Sequence, residues 1–203
     1  MSLAQVKVLV EGYAREENGR EFASSTVVLV KDNGLNIVVD PGLDRKLLLK
    51  ALKKEKLPAR KVDFVLLTHY HLDHALLSGL FKNARIIDGT EIYSWNGEIE
   101  KHNAKIPGTG VKIIKTPGHD MFHCAALAET REFGVVAIAG DVFWWPEREK
   151  QKTGRKSLLL HNDPYVKNRE QLLESRKKIL KAADWVIPGH GKMFRVEKLR
   201  EHD

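Results

Sequence analysis

Cysteine and long apolar runs are scarce in this sequence. Its 203 residues include a single cysteine, Cys124, which excludes an intramolecular disulfide framework. No apolar run approaches the length of a membrane span, and the first residues carry no secretory pattern. Repeats, low-complexity segments and linker-like stretches are also missing. We therefore predict one soluble, cytoplasmic domain over residues 1–203 with no membrane partner.

The charge balance is basic, but it does not identify a partner. A formal net charge of +7 favours anionic partners such as nucleic acid or phosphorylated substrates. The basic residues are spread along the chain, however, and the lysines of a predicted helix over residues 44–56 fit a solvated outer face. Composition therefore leaves the substrate open between a small molecule and a nucleic acid, and the oligomeric state unknown.

The densest group of chemically active side chains is the segment 68–74, Thr-His-Tyr-His-Leu-Asp-His, directly after the apolar run 62–67. It contains four potential metal ligands, His69, His71, Asp73 and His74. The turn at the end of a strand can aim several side chains into one cleft. Packing gives no reason for three histidines and an aspartate here, so the segment predicts a ligand cluster.

Three more apolar runs end in a potential ligand with a glycine beside it. The predicted strands 111–116, 135–139 and 185–187 are followed by His119, Asp141 and His190. Glycine lets the backbone approach closely and adopt otherwise strained dihedrals, as converging ligand loops require. If these strand ends meet at one edge of a sheet sandwich, all seven candidate ligands come together.

Other polar residues near these ligands are predicted to orient a ligand or contact substrate: Asp40, Asp120, His123 and His161. Asp40 ends the predicted strand 35–39, where an Asp-Pro-Gly turn is the alternative explanation. His161 lies just before a predicted helix over residues 164–183, which Asp163 is expected to cap. Upstream, residues 6–14 and 22–31 are predicted strands, and residues 89–110 are predicted to be rich in loops.

The chain carries an ordered set of potential ligands that resembles the metallo-β-lactamase superfamily of metal-dependent hydrolases. The set is His69-x-His71-x-Asp73-His74, followed by His119, Asp141 and His190. The resemblance runs from the Asp-Pro-Gly turn at 40–42 to the Pro-Gly-His segment at 188–190. It implies an α+β fold, a four-layer αβ/βα sandwich. It also implies one metal held by His69, His71 and His119, a second held by Asp73, His74 and His190, and Asp141 bridging both.

The same resemblance implies two divalent metal ions, zinc first, with iron or manganese as alternatives. Two such ions can lower the pKa of a shared water, which would attack a carbonyl carbon or a phosphorus atom. Asp73 is the predicted catalytic residue, because it is placed to orient that water and relay its proton.

The reaction has alternatives within the same superfamily. A sulfur dioxygenase-type member would use one iron held by His69, His119 and Asp141. Among hydrolases, the substrate is a phosphodiester such as RNA, or a carbonyl ester or thioester as in glyoxalase II-like enzymes. Residues 135–143 and 175–191 resemble a compact member that is associated with RNA cleavage, whereas glyoxalase II-like enzymes usually carry a further C-terminal helical region. A regulatory or RNA-binding protein without turnover is a third alternative, against which the intact ligand set argues.

Overall fold

The structure, a computed structural model, describes residues 3–197 and consists of strands and helices in alternating blocks. In chain order the strands are β1 (Gln5–Val10), β2 (Tyr13–Glu17), β3 (Arg20–Ser24), β4 (Val27–Asp32), β5 (Leu35–Val39), β6 (Phe64–Leu66), β7 (Arg85–Ile87), β8 (Glu91–Tyr93), β9 (Ile99–Lys101), β10 (Lys112–Lys115), β11 (Cys124–Thr130), β12 (Gly134–Trp144), β13 (Trp185–His190) and β14 (Phe194–Arg195). The helices are α1 (Arg45–Lys54), α2 (Leu72–Ala75), α3 (Arg155–Leu160) and α4 (Arg169–Ala182), with 3₁₀ turns at Ala59–Lys61 and Leu76–Leu80.

Two mixed sheets and a separate hairpin account for these strands. The first sheet has the order β1-β4-β5-β6-β7-β8-β9, and the second has the order β10-β11-β12-β13-β14. β5, β6 and β7 run parallel, as do β12 and β13, while the remaining neighbours are antiparallel. The strands β2 and β3 pair only with each other.

The two sheets pack face to face. Because successive side chains of a strand point to opposite faces of its sheet, one strand can fill two separate cores. In β4, Val28 and Val30 join the core between the sheets, whereas Val27 and Leu29 join a second core with α1 on the outer face. The second sheet likewise buries Ala137 and Val186 against α3 and α4 on its other face. Strands that are buried on both faces explain the nearly continuous apolar runs in the sequence.

The layers therefore follow the order helix, sheet, sheet, helix. This confirms the predicted α+β, four-layer αβ/βα sandwich. None of the helices within residues 3–197 is long and apolar enough to cross a membrane. The predicted extent of the domain, residues 1–203, includes termini outside the described range and stays a prediction.

Two predicted strands are wrong in extent, since the chain breaks each of them into two. Residues 6–14 divide into β1 and β2, and residues 22–31 divide into β3 and β4. At the first break, a Cβ on Gly12 would lie 2.3 Å from the backbone nitrogen of Thr26 and the carbonyl oxygen of Gly189. At the second, the Thr26 N–H donates to the Gly189 carbonyl at 2.7 Å. These contacts tie the β2–β3 hairpin to the end of β13.

The segment 89–110 also differs from the prediction, because it contains β8 and β9 rather than loops alone. Each has three residues, and Ile92 is the side chain that fills the core between the sheets. One buried residue in β8 and none in β9 give no alternating pattern in the sequence. The predicted helix 164–183 likewise starts later, at Arg169.

Candidate metal centre

All seven predicted ligands lie at one edge of the sandwich, where the strand ends of both sheets meet. His69 and His71 follow β6, and the first turn of α2 carries Asp73 and His74. His119 follows β10, and His190 is the last residue of β13. The prediction that Asp141 follows a strand is wrong. Asp141 lies within β12, which continues to Trp144 with a register irregularity at Gly140.

The ligand atoms form two groups that could each hold a metal ion. His69, His71, His119 and Asp141 form one group, and Asp73, His74 and His190 form the other. Within each group the candidate atoms lie within 4.8 Å of one another. The family resemblance implied the same histidines and Asp73 for each group, but it placed Asp141 in both groups as a bridge.

The Asp141 carboxylate lies between the two groups. Its Oδ2 is 3.4 Å from His119 Nε2 and 3.9 Å from His69 Nε2. Its Oδ1 is 3.2 Å from His74 Nε2 and 3.6 Å from His190 Nε2. Each carboxylate oxygen thus faces the histidines of one group, which is the arrangement that a bridging ligand requires.

Four histidines are held by their outward ring nitrogen. His69 Nδ1 lies 3.0 Å from Thr68 Oγ1, and His74 Nδ1 lies 2.8 Å from Asp40 Oδ2. His119 Nδ1 lies 2.7 Å from Asp163 Oδ2, and His190 Nδ1 lies 3.0 Å from the Tyr13 carbonyl. A carboxylate or carbonyl partner places the ring proton on Nδ1 and leaves the inward Nε2 with its lone pair.

This arrangement brings imidazole nitrogens and carboxylate oxygens together at the centre of the site. His69 Nε2, His74 Nε2 and Asp141 Oδ1 are buried and have no hydrogen-bond partner within the described part of the chain. His119 Nε2 also faces His71 Nδ1 at 3.3 Å. Unpartnered buried polar atoms are costly, and cations between them would satisfy all of them. The residues present therefore fit a pair of metal ions.

Burial and neighbouring charges shift the pKa values of several ligands, and a metal needs neutral imidazoles and an ionised carboxylate. Although burial alone would lower the pKa of His74, the carboxylates of Asp141 and Asp40 raise it well above its ordinary value, so a metal would displace a proton from this ring. Burial, with His74 next to it, holds the pKa of His69 well below its ordinary value. Burial and the nearby His119 also lower the pKa of His71. Although burial alone would raise the pKa of Asp141, the positive potential of His74 and His190 holds it well below the usual carboxyl range. His69 and His71 are therefore neutral, and Asp141 is charged, at neutral pH.

Asp40 supports the metal loop from the end of β5. Its two oxygens accept the Thr68 N–H at 2.8 Å and the Thr68 hydroxyl at 2.7 Å, and Oδ2 also meets His74 Nδ1. The residue takes a left-handed backbone conformation, with φ of +48°. The structure thus places Asp40 where one carboxylate contacts His74 directly and His69 through Thr68.

Asp163 holds His119 in the same way, and sequence reasoning missed this role. The expected helix cap is wrong, because Asn168 caps α4 by accepting the Gln171 N–H at 3.0 Å. Asp163 is buried, and its Oδ1 accepts the Tyr165 N–H and the Trp144 indole N–H. A carboxylate before proline resembles a capping signal, so the sequence offered no separate sign of the contact with His119.

His123 lies behind the centre and contacts the bridging residue through its backbone. Its Nε2 accepts the Asp141 N–H at 3.2 Å, and its Nδ1 lies 2.9 Å from Thr116 Oγ1. Burial and the proximity of His119 lower the pKa of His123 to about 3, so the ring is neutral. Its position is that of a residue that orients Asp141 rather than of a ligand.

Asp120 and His161 lie outside both ligand groups. The Asp120 carboxylate accepts the Phe122 N–H at 2.9 Å and closes the turn after His119. His161 Nε2 lies 2.6 Å from the Trp144 carbonyl, and its ring packs on Trp145. Contact of either residue with a substrate stays a prediction.

Comparison with protein families and with known sequences gives a consistent set of relatives. The model of the metallo-β-lactamase superfamily matches residues 20–95. Metallo-β-lactamase domain-containing protein 1 from Xenopus laevis is 33% identical over 202 residues, which cover 95% of this chain and 82% of that protein. The human protein of that name is 34% identical, and its match covers 81% of this chain and 60% of the human chain. A probable metallo-hydrolase from Methanocaldococcus jannaschii is 30% identical, with 96% and 90% covered.

Solved structures share the fold at lower identity. A Thermotoga maritima protein assigned to the metallo-β-lactamases superposes with a TM-score of 0.72 at 22% identity, covering 96% of this chain and all of that one. A probable metal-dependent hydrolase from Staphylococcus aureus gives a TM-score of 0.64 at 16% identity, covering 94% and 91% of the two chains. These likenesses concern the fold alone.

Proposed function

This chain belongs to the metallo-β-lactamase superfamily of metal-dependent hydrolases, and from that premise we propose that it uses two divalent metal ions to hydrolyse a phosphodiester or a carbonyl ester or thioester. His69, His71 and His119 would hold one ion, and Asp73, His74 and His190 the other. Asp141 would bridge them. The observation that supports this most strongly is the convergence of four inward Nε2 atoms on the two oxygens of one buried carboxylate.

The donor set favours zinc, with iron or manganese as alternatives. Imidazole nitrogen suits zinc and iron, and a carboxylate can span two cations. When bound, two such ions lower the pKa of a shared water and stabilise the attacking and leaving oxygens. The chain itself supplies neutral imidazoles at His69 and His71, an ionised Asp141 and a largely buried ligand cluster.

Asp73 is the residue that we assign to proton transfer. Its side chain is 21% exposed, more than those of His69, His74, His119, Asp141 and His190, and its Oδ2 lies 3.2 Å from His190 Nε2. Burial alone would raise the pKa of Asp73, but the bond with His190 and the nearby His74 lower it, so the carboxylate is ionised at neutral pH. An ionised carboxylate at the solvent side can orient the attacking water, accept its proton and pass it to the leaving group.

Metal analysis tests the proposal directly. Protein purified without added metal should contain about two divalent ions per chain, and hydrolysis of a panel of esters, thioesters, RNA and single-stranded DNA should depend on them. Asp73→Ala should remove most turnover while its circular dichroism spectrum stays that of the wild type. One tightly bound iron per chain together with oxygen consumption would instead support the sulfur dioxygenase-type alternative. The cytoplasmic location stays a prediction.

A further inference from the structure

A cavity of about 470 Å³ lies against the outer side of the metal loop. Its lining comes from four segments: the residue between His69 and His71, residues 88–93 at the start of and within β8, Lys115 and Pro117 before His119, and the loop that follows His119. Its volume falls within the range of ligand pockets, about 300–1,000 Å³. The lining residues used below are Tyr70, Asp88, Glu91, Tyr93, Met121 and Phe122.

The cavity and the candidate metal centre share two walls. Tyr70 faces the cavity, while the neighbouring His69 and His71 belong to the metal centre. Along the other wall, His123 lines the cavity and accepts a hydrogen bond from the backbone of Asp141. A molecule whose reacting bond lies at the metal centre would therefore extend past one of these walls to reach the cavity.

Part of the cavity wall is apolar and exposed to solvent. Phe122 is 72% exposed and Met121 is 53% exposed, although both follow a buried ligand within three residues. Tyr70 is 49% exposed. Adjacent large apolar side chains that stay in water beside a functional centre mark a binding surface rather than a core. This wall offers contact area to an aliphatic or aromatic group.

The polar part of the lining carries two carboxylates, Asp88 and Glu91, and one cation, Lys115. Asp88 accepts hydrogen bonds from the Tyr70 hydroxyl and, at 2.9 Å, from the Tyr93 hydroxyl, which also lies 3.0 Å from Glu91. Asp88 Oδ1 accepts the backbone N–H groups of Thr90 and Glu91 as well. The acceptor positions of Asp88 are filled from the protein. With Glu91 and Lys115 the lining keeps an excess of one negative charge, which disfavours an anionic ligand.

We propose that this cavity binds an uncharged apolar group of the substrate, the acyl or aryl portion of a carbonyl ester or thioester. The assignment rests on the proposed function, because it places the reacting bond at the metal centre and the non-reacting group in the cavity. It favours a carbonyl substrate over a polynucleotide, since the phosphates that flank every nucleotide would meet Asp88 and Glu91. The apolar wall supplies affinity, and the excess negative charge of the lining disfavours anionic groups.

Binding of ketones tests the cavity without requiring turnover. Calorimetric titration of the metal-loaded protein compares 2-octanone with 2-butanone, neither of which can be hydrolysed. Transfer of one methylene from water is worth about fourfold in affinity at full burial, so the longer ketone should bind at least ~10-fold more tightly. The double substitution Met121→Ala and Phe122→Ala should remove most of that preference. Ile99→Ala, which trims an exposed side chain on β9, should leave it unchanged.

Hydrolysis of a matched ester series tests the substrate class. The ratio of kcat/KM for hexanoyl over acetyl p-nitrophenyl ester should exceed ~10 in the wild type and approach 1 in the double variant. A p-nitrophenyl hemisuccinate should be a poorer substrate than the butyryl ester of similar size, and Glu91→Gln should narrow that difference.

The outcomes separate the two proposals. Equal affinity for the two ketones, or a preference that survives the double substitution, would overturn the cavity assignment. Cleavage of RNA without cleavage of any ester or thioester would overturn the substrate class. If the two-metal protein hydrolyses nothing in the panel but still prefers 2-octanone, the proposed hydrolysis fails while the cavity stands as a binding site.

Discussion

At the scale of single residues, the candidate metal centre depends on the groups that hold the outward nitrogen of each histidine. Asp163→Asn tests this for His119. The Tyr165 N–H and the Trp144 indole both donate to Asp163 Oδ1, so the Asn amide would turn its NH₂ group towards His119 Nδ1. Two donors would then face each other and disturb the tautomer of the ring. We expect metal affinity at the His69–His71–His119 group to fall about 10–100-fold.

A competition titration against a chromophoric chelator measures that loss. Asp63→Asn is the matched control, because Asp63 accepts the Asn36 N–H at 2.8 Å and belongs to neither ligand group. This control should keep the affinity of the wild type. An Asp163→Asn protein with unchanged affinity for both ions would show that the contact does not orient His119.

Asp88 provides a pH-dependent test at the same scale. Although burial alone would raise the pKa of Asp88, hydrogen bonds from the Tyr70 hydroxyl and the backbone of Glu91 and Thr90 lower it. Its stabilising effect is therefore present above the ordinary carboxyl pKa of about 4 and is lost as the pH falls through the lower pKa of the folded state. Asp88→Asn should lower the free energy of unfolding by about 1–3 kcal/mol at pH 7.

Urea denaturation of the metal-free proteins at several pH values measures this difference. The gap between the wild type and Asp88→Asn should narrow as the pH falls below about 4, since protonation removes the charge that the variant lacks. A gap that is constant from pH 7 to pH 3 would contradict the ionised state of Asp88.

The sequence predicted the ligand residues of the candidate site better than the groups that hydrogen-bond to them. The order of histidines and aspartates gave all seven members of the two groups, because ligands at strand ends leave a residue-type signal. The contacts of Asp163 with His119 and of the Tyr13 carbonyl with His190 left no such signal in the sequence. A carbonyl belongs to every residue, and Asp163 reaches His119 only through the path of the loop before α4. Such contacts are fixed by tertiary packing.

At the scale of elements, the bulge in β12 decides whether Asp141 can lie between the two groups. Gly140 has φ of +49°, and a Cβ there would lie 2.5 Å from Thr68 Oγ1 and 2.8 Å from His123 Nε2. Both neighbours are held by hydrogen bonds, so neither can move without cost. Gly140→Ala should therefore lower the free energy of unfolding by about 3 kcal/mol through strain and crowding.

The control for this glycine is Gly79→Ala in the turn Leu76–Leu80. A Cβ on Gly79 meets no atom within 4 Å, and its φ is not positive. The unfolding midpoint of the Gly79→Ala protein in urea should stay close to that of the wild type. A Gly140→Ala protein that loses less than about 1 kcal/mol would show that the bulge relaxes without disturbing Thr68 and His123.

The breaks between β1 and β2 and between β3 and β4 illustrate what element prediction lacks. Neither break carries a proline or an Asn-Gly pair, so the sequence pattern predicts uninterrupted strands. The interruption comes from the close approach of Gly12 and Thr26 to Gly189, near the other end of the chain. The core strands β4 and β5 were predictable because their residues fill both faces of the first sheet.

At the scale of the whole molecule, the two ligand groups connect the two sheets. His69, His71, Asp73 and His74 follow β6 of the first sheet, whereas His119, Asp141 and His190 lie on or after strands of the second. Each proposed ion would therefore hold ligands from both sheets. Metal binding should stabilise the packing of the sandwich as well as supply the chemistry.

Chelation should consequently lower the melting temperature. Ions present at 1,000 times their dissociation constant stabilise a folded protein by about 4 kcal/mol per site. For a chain of this size, that corresponds to a melting temperature about 10 °C lower after removal of one ion. Differential scanning calorimetry of wild-type protein with zinc and with EDTA measures the shift. Asp141→Asn should show a smaller shift, because the substitution weakens a ligand common to both ions. A wild-type melting temperature that does not respond to EDTA would refute the role of the metals in joining the sheets.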